Sequence, residues 1–219
     1  MGTEVKRKSK MPQIGEAVFS IIYLVFGFVS GIVMLSLSAN RYHIFLYGIM
    51  TLILAGGDSF HLVPRIINAL KDKFEKYNFW AGLGLAVSSV TMTIFYLVLY
   101  KVWEALYPDK SASSILVALL FICAGIRIAL CFFPQNKWTT GGNPTWGIIR
   151  NVPFVVVGII VVILFAMAHN FAMVAAIIIS FACYIPVVLW AKKNPKIGML
   201  MMPKTMAYMW IIIMGLHLL

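Results

Sequence analysis

Seven runs of apolar residues, each roughly long enough to cross a bilayer, follow one another at about 15–38, 44–69, 80–103, 113–133, 152–168, 171–191 and 205–219. A chain built this way has few structural options. In hydrocarbon every backbone N–H and C=O must be bonded within the protein, so only helices and closed barrels can cross. Strict alternation of polar and apolar residues is absent, which argues against a barrel. Of 219 residues, 62% are hydrophobic and 11% charged, whereas about 25% are charged in an ordinary soluble domain. The expectation is an all-α, polytopic integral membrane protein: about seven transmembrane helices in one bundle forming a single domain over residues 1–219.

Residues 1–14 form a short basic segment ahead of the first run. The run from Val18 to Leu37 exceeds the 7–15 residues of a typical signal-peptide core, so it is read as a retained first helix. Lys6, Arg7, Lys8, Lys10, Lys71, Lys73, Lys76, Lys137, Lys192, Lys193, Lys196 and Lys204 fall on one side of the alternating spans, against Arg41, Lys101 and Lys110 on the other. By the positive-inside rule the amino terminus is cytoplasmic and the carboxyl terminus external, with the cell membrane as the expected location. This bias accounts for most of the +11 net charge. The expected partner is therefore the lipid bilayer with its anionic headgroups, and no nucleic acid. Trp80, Trp103, Trp138, Trp146 and Trp190 lie at predicted span ends, where interfacial aromatics belong. Only His169 and Asn170 separate the fifth and sixth runs, which requires a tight antiparallel hairpin.

Against this apolar background, Gly56-Gly57-Asp58-Ser59-Phe60-His61-Leu62-Val63-Pro64-Arg65 places an acid, an imidazole and a guanidinium inside the second span. On a helix, Asp58, His61 and Arg65 share one face. The orientation above puts Glu16 of helix one, Arg127 of helix four, and Arg150 and Asn151 of helix five at the same depth. Intramembrane ionisable groups normally face the bundle interior, so these residues predict a cytoplasm-facing polar pocket. Pro64 removes the donor that would bond the Phe60 carbonyl, and helix two is expected to bend there. Glu16, Ser20, Tyr23 and Gly27 form a stripe on helix one, and Ser89, Thr93, Tyr96 and Tyr100 form another on helix three. Packing is the better account of the second stripe, with both tyrosines reaching the outer interface; Gly27-x-x-x-Gly31 is likewise a helix-packing motif.

Three readings fit the patch. In the first, Asp58 neutralises Arg65 or Arg127, His61 bonds a neighbouring helix, and the network is structural. In the second, Asp58 and His61 are catalytic, and Arg65, Arg127, Arg150 and Asn151 bind the phosphate or carboxylate of a lipid or amphiphile. A zinc ion would then require Glu16, Asp58 and His61 as its three protein ligands. In the third, the same cations recognise an anionic solute or lipid headgroup in a small transporter or binding protein, with Asp58 and His61 passing a proton. A retinal site is not expected, because Lys204 beside Pro203 falls at the membrane edge and helix three carries no mid-span carboxylate.

The segment Gly57-Asp58-Ser59-Phe60-His61, with the helix count and the cytoplasmic amino terminus, resembles the seven-helix membrane hydrolase superfamily of alkaline ceramidases and progestin/adiponectin receptors. In that superfamily a Ser and a His lie on one membrane helix, and the resemblance implies that role for Ser59 and His61. It also implies zinc-assisted hydrolysis of a lipid. This chain departs from the pattern in spacing Ser and His two residues apart, in offering only His217 on the last helix, and in having no Asp on helix three. Cys123 and Cys131, about 12 Å apart along one helix, cannot form a disulfide, and Cys183 also lies in an apolar span.

Overall fold

The computed structural model describes residues 11–71, 74–191 and 193–219. It contains seven α-helices: α1 (Met11–Ser36), α2 (Tyr42–Lys71), α3 (Phe74–Leu106), α4 (Ser114–Cys131), α5 (Pro144–Met167), α6 (Phe171–Trp190) and α7 (Met201–Leu216). All seven are long and apolar enough to cross a membrane once the turn at Pro195–Leu200 is counted with α7. The described residues contain no strand. The chain is a multi-pass, all-α membrane protein, as its apolar periodicity requires. The charged flanks Lys6, Arg7, Lys8, Lys10, Lys73 and Lys192 lie outside the described residues.

Consecutive helices pack side by side, and α7 returns to α1 and α2 to close the ring. The most extensive interface joins α2 to α3. α1 meets α2 through its small residues: a Cβ on Gly27 would stand 2.9 Å from the Ala55 Cβ, and one on Gly31 2.6 Å from Leu52 Cδ2. The Gly-x-x-x-Gly pair is thus a close-packing device. The opposite face of α1, with Val18, Ile22, Val25, Val29 and Ile32, is exposed and apolar, as a lipid-facing surface should be.

Two boundaries differ from expectation, and the tight α5–α6 hairpin forms as expected. α5 begins at Pro144, capped by Asn143 Oδ1 accepting from Thr145 N at 3.1 Å, instead of near residue 152. The polar pair that suggested a break, Arg150 and Asn151, is absorbed inside the protein, so the helix continues through it. α7 starts at Met201 after a single 3-10 stretch, with Pro203 in its first turn, where the missing N–H breaks no helical bond. The α5–α6 hairpin turns through Ala168, His169 and Asn170, with His169 at φ +58° and Asn170 Oδ1 capping Met173 N at 3.1 Å.

The centre of the bundle is aromatic. Tyr96 contacts Phe95, Phe154 and Phe181 at ring separations of 5.3, 5.2 and 5.6 Å. Tyr96 and Tyr100 are therefore core residues and do not reach an outer interface. Trp103 is also buried, 1% exposed, and its Nε1 donates to the Leu164 carbonyl at 2.7 Å. It joins α3 to α5 and is not an interfacial anchor. Trp80 and Trp190 remain exposed at span ends. Cys123, Cys131 and Cys183 are free thiols.

Candidate functional site

Pro64 and two glycines set the local geometry of α2. The Phe60 carbonyl, deprived of its helical donor by Pro64, is approached by α3 at Gly84. A side chain at Gly84 would collide with that carbonyl and stand 2.6 Å from His61 N. One turn above, Gly57 admits Thr91 in the same manner, with a built Cβ 2.6 Å from the Thr91 Cβ. Asp58 and His61 therefore sit where α2 and α3 run nearly in backbone contact. Ser88, one turn after Gly84, is delivered directly to Asp58.

Asp58 accepts two hydrogen bonds, from Ser88 Oγ to Oδ1 at 2.7 Å and from Tyr23 OH to Oδ2 at 2.9 Å. Each bond to a charged acceptor contributes about 1.5–3 kcal/mol, which offsets part of the cost of keeping a carboxylate 7% exposed. His61 Nδ1 lies 3.9 Å from Asp58 Oδ1, beyond hydrogen-bond length, and is buried without a hydrogen-bond partner among the described residues. An oxygen atom placed between the two groups could bond to both.

These groups line a cavity of about 100 Å³ to which every one of the seven helices contributes a side chain. Glu16 and Arg65 stand at its exposed rim, half-exposed and ion-paired with each other. Deeper in, Arg127 is 1% exposed. Its Nε donates to Thr93 Oγ1 at 3.0 Å, and its Nη1 to Asn151 Oδ1 at 2.7 Å and to the Arg150 carbonyl at 2.8 Å. The guanidinium also stacks 3.9 Å from the Phe154 ring centre. Tyr184 OH donates to the same Asn151 Oδ1 at 2.9 Å, so Asn151 ties α4, α5 and α6 together at one atom.

The structure thus brings together Asp58, His61, Arg65, Glu16 and Arg127, but pairs them differently from expectation. Among the described residues neither Arg65 nor Arg127 reaches Asp58 within 4.0 Å; Arg65 takes Glu16, which stands at the rim opposite it. Arg150 is not at the cavity. Its Nη1 donates to Asn136 Oδ1 at 2.8 Å and its guanidinium lies 4.0 Å from the Trp138 ring centre, so it fastens the α4–α5 connection. Asn151 does not line the cavity either and acts by holding Arg127. Ser59 bonds its own helix at the Gly56 carbonyl, 2.6 Å away, and lines no part of the cavity. The hydroxyl beside Asp58 comes from Ser88.

The expected zinc ligands do not fit the ion. Among the described residues no three His, Cys, Asp or Glu side chains gather as a metal site, and the Glu16 carboxylate is ion-paired with Arg65. His217 lies at the far end of α7.

Two participants were not foreseen. Ser88 was overlooked because Ser89 continues the i, i+4 stripe to Thr93, and only the close approach at Gly84 reveals which serine meets Asp58. Lys204, placed at the membrane edge by its neighbour Pro203, is instead 8% exposed and lines the cavity. Its ammonium lies 4.8 Å from the Tyr208 ring centre and 5.1 Å from that of Tyr184. Compared with protein-family models, curated proteins and solved structures, the chain has no match.

Proposed function

We propose that this protein is a membrane-embedded hydrolase acting on a lipid or amphiphile, with the amino terminus cytoplasmic, the carboxyl terminus external and the cavity open toward the cytoplasm. The observation that carries this reading is the buried Asp58–His61 pair at the wall of the cavity, one group fully held by hydroxyl donors and the other with a free ring nitrogen. A general base needs a proton-accepting nitrogen within reach of its substrate, and a fixed neighbour to orient or charge-balance it. In this arrangement His61 takes a proton from the attacking water, whose oxygen bonds to the reacting centre. The proton passes to the leaving group as its bond breaks, so one water is consumed and two hydroxyl-bearing or acidic products result. Asp58 stabilises the transient imidazolium across the gap, and Arg127 holds the anionic part of the substrate.

A second reading rests on a different observation. Arg127 is a buried cation with no carboxylate within 4.0 Å among the described residues, which favours binding or proton-linked movement of an anionic solute or headgroup without bond cleavage.

Turnover separates the two. Purified protein in nanodiscs, incubated with a mixed lipid extract and followed by mass spectrometry, is expected to yield hydrolysis products, with rates falling about 100-fold or more in His61→Ala. Uptake of an anion into liposomes without any product, lost in Asp58→Asn, would replace the hydrolase reading by the transport one.

A further inference from the structure

The charges of the cavity do not balance. With Glu16 and Arg65 neutralising each other at the rim, the interior holds two cations, Arg127 and Lys204, against one carboxylate, Asp58. Neither cation has a carboxylate within 4.0 Å among the described residues. Arg127 spends Nε and Nη1 on the protein, and among the described residues its Nη2 donates no hydrogen bond. Lys204 faces the rings of Tyr184 and Tyr208, whose π-faces attract its ammonium. The Tyr208 side chain and, at longer range, Asp58 also offset its charge, but no carboxylate pairs with it directly among the described residues, which leaves a place for an anion beside it.

The two cations are also held in register. Lys204 packs on the ring of Tyr184, the hydroxyl of Tyr184 bonds Asn151 Oδ1, and the same oxygen accepts from Arg127 Nη1. A single tyrosine thus lies between a lysine of α7 and an arginine of α4, both turned into one cavity of about 100 Å³. That volume suits a small head of a few heavy atoms and leaves any alkyl chain outside. We infer that Lys204 and Arg127 form an oxyanion-binding site for a phosphate group, carried either by free phosphate or by an amphiphile headgroup. A guanidinium edge and an ammonium point charge are complementary ways of meeting phosphate oxygens. The inference deepens the proposed reaction site by naming what the substrate's head carries, and it rests on that reading only for the bond cleaved nearby.

Binding is measured without turnover, which keeps the two claims apart. The full chain, in nanodiscs of zwitterionic phosphatidylcholine, is titrated with inorganic phosphate and separately with dodecyl phosphate, using sodium chloride and dodecyl maltoside as matched controls. The expected result is saturable binding of at least one phosphate probe, weakened 10-fold or more in Lys204→Met and largely retained in Lys204→Arg. Asp58→Asn, which removes the opposing charge, is expected to tighten it. Tightening in Asp58→Asn keeps the claim testable if Lys204→Met does not fold. Binding of both probes identifies a free phosphate as sufficient, and binding of dodecyl phosphate alone identifies a headgroup. Absence of saturable binding of either probe, or equal binding by folded Lys204→Met, overturns the site. Loss of hydrolysis with phosphate binding intact would instead count against the reaction and leave this site standing.

Discussion

The Phe60 carbonyl, left without a helical donor by Pro64, is covered by the backbone of α3 at Gly84. This contact joins the missing helical bond at Pro64 to the position of Ser88 and so to the hydrogen bond that Ser88 gives Asp58. Gly84→Val is expected to destabilise the protein by about 1–3 kcal/mol through overpacking and to separate the two helices at the site. Thermal unfolding in detergent, with Ser88→Ala as the variant that removes the bond alone, checks this. A Gly84→Val protein no less stable than Ser88→Ala would show that the close approach is not needed.

Arg127 and Asn151 form a second dependency. Truncating either removes one of the two bonds made at the other's atom, since Asn151 Oδ1 also accepts from Tyr184 and Arg127 Nη1 also donates to the Arg150 carbonyl, and each change is expected to cost about 1–3 kcal/mol. Because they share one interaction, Arg127→Met with Asn151→Leu is expected to cost clearly less than the sum of the single changes. Denaturant titration in mixed micelles of the two single variants and the double variant gives the coupling. Strict additivity would mean that the bond at 2.7 Å contributes nothing.

How much of this was readable from the residues differs between fold and site. The seven helices follow from the apolar runs, because a bilayer leaves the backbone no other way to bond. Helix ends were less legible: Arg150 looked like a boundary charge, but Trp138 and Asn136 shelter it and α5 runs on for two more turns on its amino-terminal side. The patch on α2 was visible since Asp58 and His61 interrupt an apolar run. Two of its partners were not, since Ser88 and Lys204 reach it only through tertiary packing, whereas Tyr23 lies on the α1 stripe with Glu16. Lys204 in particular has an unremarkable local sequence, and only the return of α7 to α1 and α2 turns an edge lysine into a cavity wall.

Trp103 and Trp80 should be distinguishable in fluorescence. Trp103 is buried with its indole N–H bonded to Leu164, whereas Trp80 is about half exposed. Brominated lipids are expected to quench a variant retaining only Trp80 and to leave one retaining only Trp103 largely unquenched. Equal quenching would return Trp103 to the membrane interface.

Orientation is tested by cysteine labelling in cells, on a background lacking Cys123, Cys131 and Cys183. With the amino terminus inside, Lys110→Cys is expected to react with an impermeant maleimide from outside, and Lys73→Cys only after permeabilisation. The opposite pattern would place the cavity on the external side.

In the proposed reaction, Asp58 and His61 direct water at a bond in a membrane amphiphile. Its most direct measurement is turnover of a lipid extract in heavy-oxygen water by the nanodisc-embedded protein, compared with a folded Asp58→Asn variant. One heavy oxygen is expected in the product of the wild-type protein, with loss of that product in the variant. Product formed without the heavy oxygen, or formed equally by Asp58→Asn, would contradict it.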